Sequence, residues 1–376
     1  EQMDREDREL LRQLSRKTWA YFEDFINSET NWLSPDNYQE KPYKGIAYRT
    51  SPTNMAMGIT SNVVAYDLGY IGISEFQSRL DNIISNMESL EKYKGHFYNW
   101  YDIKNKRPLY PRYVSTVDSG NLVGYIWLVE ESIDEYMGYP LINKSLPLGL
   151  QDTLKLAENE IYKELKVKQA YGDFIEKLSG DGLNKFQGEH IIDVFLLRTF
   201  LYELIKKSME FDKKSVKLYW NMKIYNMCIK FLEELNNLFP CVAFVNENPQ
   251  FKGFKNKVND LAVKVPLGKI PEAVDKLIGE FSHQEENDSI NDLKELLLKT
   301  KFNIGKIIFQ IKTIRDTLSS MAKEHNFSML YNKKRQLFAI GYDVEKDTLG
   351  KNYYDLLASE ARQASFVAIA KGEVEQ

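Results

Sequence analysis

The chain has 376 residues, 43% apolar and 28% charged, with a formal net charge of −4 and a sequence pI of about 5.8. That balance excludes the basic field a nucleic-acid binder needs, and two cysteines are too few for a disulfide framework or a zinc site. No apolar run reaches the roughly 18 residues of a membrane span.

The start, "EQMDREDRELLRQL", is charged and amphipathic without a signal-peptide core, as expected of a boundary inside a longer protein. Helical period dominates from there. Leu10, Leu11, Leu14, Phe22, Phe25 and Ile26 mark the inner stripe of a first helix. "SPTNMAMGITSNVVAYDLGY" is a second, with Ser51 as N-cap, Pro52 at the first helical position and Gly69 past the end. A third follows from Ser74, and a fourth over "DSGNLVGYIWLVEESIDEY", capped by Asp118 or Ser119. Between them "GHFYNWYDIKNKRPLYPRYVS", 95–115, is aromatic and aperiodic and reads as a long structured loop. Further helices are predicted near 150–171, 189–208, 213–238, 270–280, 288–324 and 351–371. "FSMLYNKKRQLFAIGY", 327–342, reads as a β-hairpin. About ten helices with short links give a mainly α chain, its helical hairpins packed in a ring or bundle.

Phosphate loops, an EF-hand, paired histidines and a G-x-S-x-G elbow are absent. "SGDGLNKFQGE", with Asp181, Asn184 and Glu189, lacks the alternate acidic ligands of a calcium loop. Four polar, aromatic loops remain. They carry Trp32, Asp36 and Tyr38; Arg49, Ser51 and Asn54; His96, Asn99, Trp100, Tyr101 and Asp102; and Arg112, Asp118, Ser119 and Asn121. Aromatic faces accept the C–H side of a pyranose, and carboxylates, amides and arginine satisfy its hydroxyls. The 13% of Phe, Trp and Tyr suits such a cleft or a Tyr-rich core. The plain alternative is that the polar groups cap helices and fasten loops.

The last helix raises a separate question. Tyr353, Leu356, Leu357, Glu360, Ala364 and Val367 share one stripe, and a carboxylate on an apolar stripe is costly unless paired or functional. A structural salt bridge is its plain alternative.

Together "RTSPTN", "YDLGYIG", "GHFYNWYD", "RPLYPRYVSTVDSGNL" and "YDLLASEARQASFVAIAKGE" resemble the transglycosylation (cyclisation) domain of the cyclic β-1,2-glucan synthases, strongly over 5–140 and 327–374 and weakly across 142–325. The resemblance implies a glycoamylase-like (α/α)6 toroid, with 1–376 as the N-terminal portion of that single domain. It implies anomer-retaining transfer that cuts linear β-1,2-glucan and joins it into a ring, which uses two carboxyl groups about 5–5.5 Å apart. Glu360 matches the position of the family's nucleophile, and the second carboxyl group is expected beyond Gln376. Substrate contacts are expected from Trp32, Asp36, Tyr38, Arg49, Trp100, Tyr101, Asp102 and Asp118, with no metal or cofactor. The implied partners are linear and cyclic β-1,2-glucan and neighbouring glucosyltransferase and phosphorylase-like domains, on the cytoplasmic side of a membrane-anchored protein. A non-catalytic glucan-binding or scaffolding segment is the competing reading.

Overall fold

The computed structural model describes residues 4–167, 169–179, 187–188, 191–212, 218–280, 288–354 and 361–376. Its helices are α1 Arg5–Phe25, α2 Pro52–Asp67, α3 Ile73–Glu88, α4 Thr116–Tyr136, α5 Ser145–Leu165, α6 Gly172–Leu178, α7 Val194–Asp212, α8 Tyr219–Leu238, α9 Pro240–Glu247, α10 Lys255–Val263, α11 Ile270–Glu280, α12 Asp288–Glu324 and α13 Ala361–Ala370. The strands are short: β1 Tyr38–Gln39, β2 Gly45–Ile46, β3 Arg49–Thr50, β4 Lys92–Tyr93, β5 His96–Phe97, β6 Tyr101–Asp102, β7 Tyr113–Ser115, β8 Gln187–Gly188, β9 Ile191–Ile192, β10 Tyr331–Asn332, β11 Leu337–Phe338, β12 Gly341–Asp343 and β13 Thr348–Leu349. The chain is therefore mainly α, as its periodicity predicts.

Two compact units divide it. Unit 1 comprises Glu1–Thr18, Val64–Gln77 and Asp134–Ile311, and unit 2 comprises Trp19–Val63, Ser78–Ile133 and Lys312–Gln376.

In unit 1, α8 packs on both α5 and α7, burying Leu150, Leu154, Leu201, Leu204, Ile224 and Cys228. Helix starts here are capped by carboxylates from elsewhere in the sequence. Glu160 accepts from the main-chain nitrogens of Tyr219 and Trp220, each at 2.7 Å, at the start of α8. Glu234 accepts from Ser74 N at 2.6 Å at the start of α3. Each carboxyl group supplies acceptors to otherwise orphan donors of a first turn. Ser74 thus lies inside α3 and does not cap it. The first half of the predicted stripe of α1 fails, Leu10, Leu11 and Leu14 being 57%, 48% and 49% exposed, whereas Ile26 at its end is buried. That helix instead buries Arg16, whose Nε donates to Thr153 Oγ1 at 2.8 Å with Tyr70 and Trp220 rings against its guanidinium. Helices α9 and α10 occupy a stretch for which the sequence reading offered no element.

Unit 2 holds the aromatic loops. Ser51 caps α2 as predicted, accepting from Asn54 N at 3.2 Å, a bond worth about 1 kcal/mol. The fourth helix starts two residues before Asp118, and its cap is Ser115, whose Oγ accepts from Asp118 N at 3.3 Å. The segment 95–115 contains three short strands. β3 pairs antiparallel with β6, Arg49 opposite Asp102 and Thr50 opposite Tyr101. β7 pairs with β12, Val114 opposite Tyr342, and β12 also pairs with β13. The hairpin predicted at 327–342 is present in shorter form. A 3-10 turn, Phe327–Leu330, leads into the β10–β11 pair, and β12 leaves to join β7.

Two further contacts organise unit 2. His96 is buried, with Nε2 at 2.9 Å from Asn326 O and Nδ1 at 2.8 Å from Ser119 Oγ. A carbonyl only accepts, so Nε2 carries the proton and Nδ1 accepts from the serine. Burial holds this imidazole neutral, its pKa pushed down to about 4. Helix α13 lies against α4 at Gly120, where a Cβ would sit 2.6 Å from Ala364 Cα. Only glycine permits that approach.

Candidate functional site

The first turn of α2 is the centre of a connected polar group in unit 2. Arg49, on β3, reaches Asp36 Oδ2 with Nη2 at 2.7 Å and Nε at 3.0 Å. The other oxygen of Asp36 accepts from Asn54 Nδ2 at 3.4 Å. The arginine is half-exposed, 52% against 20% for its aspartate partner, so it has room to meet a ligand. Its guanidinium lies 4.7 Å from the centroid of the Trp100 ring, a cation–π contact that fixes the indole plane.

A second carboxylate approaches the same turn. Asp118 Oδ1 accepts from Thr53 Oγ1 at 2.6 Å and from Thr53 N at 3.3 Å. Asn121 Nδ2 donates to the same hydroxyl at 3.2 Å. Asn99 joins the two halves. In the amide orientation that satisfies both groups, it donates to Asp118 Oδ2 and accepts from Trp100 Nε1, each at 3.1 Å. Asp36, Arg49, Trp100 and Asp118 are therefore linked through Asn99, Thr53 and Asn54. Carboxylate acceptors, amide donors and an oriented indole are the groups that engage sugar hydroxyls and a pyranose face.

The remaining predicted residues lie differently. Tyr101 is fully buried, its hydroxyl donating to Glu91 O at 2.6 Å and accepting from Tyr98 N at 2.8 Å. A covered ring offers no face to a ligand, so Tyr101 leaves the set. The carboxylate of Asp102 accepts from Lys104 N at 2.8 Å and Asn105 N at 3.1 Å, fastening its own turn. Trp32 stands against Arg79, whose guanidinium is 5.9 Å from its ring and 4.9 Å from that of Trp19. Tyr38 is on the surface but stacked on Phe25, with ring centroids 4.9 Å apart. Burial and the neighbouring Tyr43 raise its phenol pKa. Ser119 is bound to His96. Glu360 lies outside the described residues, as do Asp181, Asn184 and Glu189.

Thr53 is the binding partner that sequence reasoning passed over. Its one signal was its place in the first turn of α2, where an exposed hydroxyl and amide invite a carboxylate from another element. Among the described residues no three His, Cys, Asp or Glu side chains gather to hold a metal ion, and no helix is long and apolar enough to cross a membrane.

No family model matches the chain. A glucoamylase-like protein of Bacteroides fragilis NCTC 9343 matches 43% of this chain and 39% of its own, at 16% identity and a TM-score of 0.31. Likeness at that level says nothing firm about the fold. Sequence comparison is more informative: identity is 30% over 370 residues, 97% of this chain, to the cyclic beta-(1,2)-glucan synthase NdvB of Rhizobium meliloti (strain 1021). The chain spans 11% of that protein's length. The motifs and the comparison agree: along nearly its whole length the chain is similar to one segment of a cyclic β-(1,2)-glucan synthase.

Proposed function

We propose that the chain is part of a β-1,2-glucan-processing segment, the N-terminal portion of an anomer-retaining, glycoamylase-like transglycosylase domain of toroidal (α/α)6 type. The observation that carries this reading is the pair of carboxylates, Asp36 and Asp118, at the first turn of α2, joined to one indole through Arg49 and Asn99. Two acceptor clusters around an aromatic plane suit a hydroxyl-rich chain better than a phosphate or an apolar ligand. In this reading Asp36, Arg49 and Asp118 hold sugar hydroxyls and Trp100 supports a ring.

Glu360 takes the nucleophile's role by resemblance. Protonation and covalent capture supply the chemistry, so neither a metal nor an organic cofactor is needed. The substrate is linear β-1,2-glucan and the product its ring. Glucosyltransferase and phosphorylase-like domains are its neighbours, on the cytoplasmic side of a membrane-anchored protein.

Product analysis of the parent protein tests this. Glu360→Gln should elongate glucan but fail to close rings, and EDTA should leave ring closure unchanged. Normal cyclisation by the variant would reject the catalytic role and favour a glucan-binding segment. For the chain itself, affinity for linear β-1,2-gluco-oligosaccharides is expected on the order of millimolar, lost in Arg49→Ala.

A further inference from the structure

Trp100 is not the only ring in this region with an arginine against it. Arg112 has its guanidinium 5.4 Å from the Tyr110 ring and 6.0 Å from that of Tyr98. Its Nη1 is 3.2 Å from Glu91 Oε1 and its Nη2 donates to Tyr110 Oη at 3.4 Å. Tyr110 is 72% exposed. Arg112 lies toward the hydroxyl end of the ring, and most of the residue is open to solvent. Leaving a large aromatic surface in water has a cost, which a ligand would recover.

The backbone places this ring beside the candidate site. Leu109 N donates to Trp100 O at 2.8 Å, and Asn99 N donates to Tyr113 O at 2.7 Å. Residues 110–112 are thus the short span between two cross-chain bonds, and the residues facing them are Asn99 and Trp100. Trp100 and Tyr110 are therefore carried on paired segments of one loop, each with an arginine close to its ring.

We propose that Tyr110, held by Arg112, is a second stacking platform for the glucan, engaged only by chains that extend past the residue on Trp100. This rests on the glucan-binding reading above. It assigns Tyr110 and Arg112 to binding of chain length, and Tyr110 is a positioning residue that does not touch the reacting atoms.

The test titrates the chain with linear β-1,2-gluco-oligosaccharides of two lengths, one short enough to cover Trp100 alone and one several units longer, read by ligand-observed NMR. Variants are Tyr110→Ala, Tyr110→Phe and, as a control for the central site, Arg49→Ala, with circular dichroism confirming that each is folded. The expected result is that Tyr110→Ala weakens the long ligand roughly tenfold and leaves the short one within about twofold. Tyr110→Phe keeps the ring and should bind like the wild type. Should Tyr110→Ala weaken both lengths equally, or neither, while Arg49→Ala still abolishes binding, the second platform is refuted and the central site stands. Should the unaltered chain bind neither length, both readings fall together.

Discussion

Replacing Gly120 by alanine asks whether α4 and α13 meet main chain to main chain. The added Cβ would lie 2.6 Å from Ala364 Cα, 2.6 Å from its Cβ and 2.7 Å from its N. Two effects oppose one another. Alanine favours a helix interior by about 1 kcal/mol over glycine, and overpacking costs about 1–3 kcal/mol. Main-chain atoms make two of the three contacts, so a whole helix must move, and the steric effect wins by about 1 kcal/mol. One turn along, Gly124→Ala is the control. Its Cβ would meet Gln363 Nε2 at 2.2 Å and Cδ at 3.2 Å, the far end of a side chain that rotates away. There propensity wins, and the variant gains up to about 1 kcal/mol. Trp19, Trp32, Trp100 and Trp127 belong to unit 2, and only Trp220 to unit 1, so intrinsic fluorescence during urea unfolding reports mainly on unit 2. The midpoints of the two variants should move in opposite directions at constant slope. Shifts of the same sign and size would refute the close approach.

Gly305, within α12, has nothing within 4 Å of a built Cβ, so Gly305→Ala should raise stability by about 0.5–1 kcal/mol in a thermal melt. His96 titrates near 4 in the fold against 6.5 when free, so the native state binds fewer protons between those values. Its contribution is complete above 6.5 and is lost as pH falls toward 4; His96→Gln should flatten that part of the stability profile. Glu234 behaves oppositely, because burial raises its pKa above 4.5 despite the amides it accepts from. Its contribution is present below 4.5 and declines as pH rises, so Glu234→Gln should gain on the wild type with rising pH. A constant difference between the two across pH 4 to 8 would count against the buried charge.

Features fixed by neighbouring residues were legible in the sequence. Ser51, Pro52 and Gly69 bound α2 because cap and stop chemistry acts within one turn, and Gly69, at φ +75°, also lies where a Cβ would strike Ser145 O at 1.9 Å. What depends on distant partners was not legible. Asp118 sits near a helix start and so looks like its cap, yet it serves the start of α2. Trp100 and Tyr101 are adjacent aromatics in one extended stretch, and alternation sends one toward Arg49 and the other into the core. Periodicity states that such neighbours diverge, and only the pairing with β3 decides which goes in. Leu10, Leu11 and Leu14 looked like a core stripe because hydrophobicity alone does not specify which face meets a neighbour.

The pairing of β7 with β12 bears on how the molecule is made. The whole stretch Asp134–Ile311, which supplies most of unit 1, is synthesised between these two strands. At translation rates of roughly 5–20 residues per second, β7 waits on the order of ten seconds or more for its partner. During that time Val114 and the aromatic residues around it have no finished core to enter, and the strand keeps a bare edge. All three segments of unit 1 are complete once Ile311 leaves the ribosome, so unit 1 can close first. A nascent chain arrested once Ile311 has cleared the ribosome should therefore protect the described helices of unit 1 from protease and be cut within 19–63 and 78–133, which would make the aromatic loops the last part of the chain to mature and the part most dependent on a chaperone.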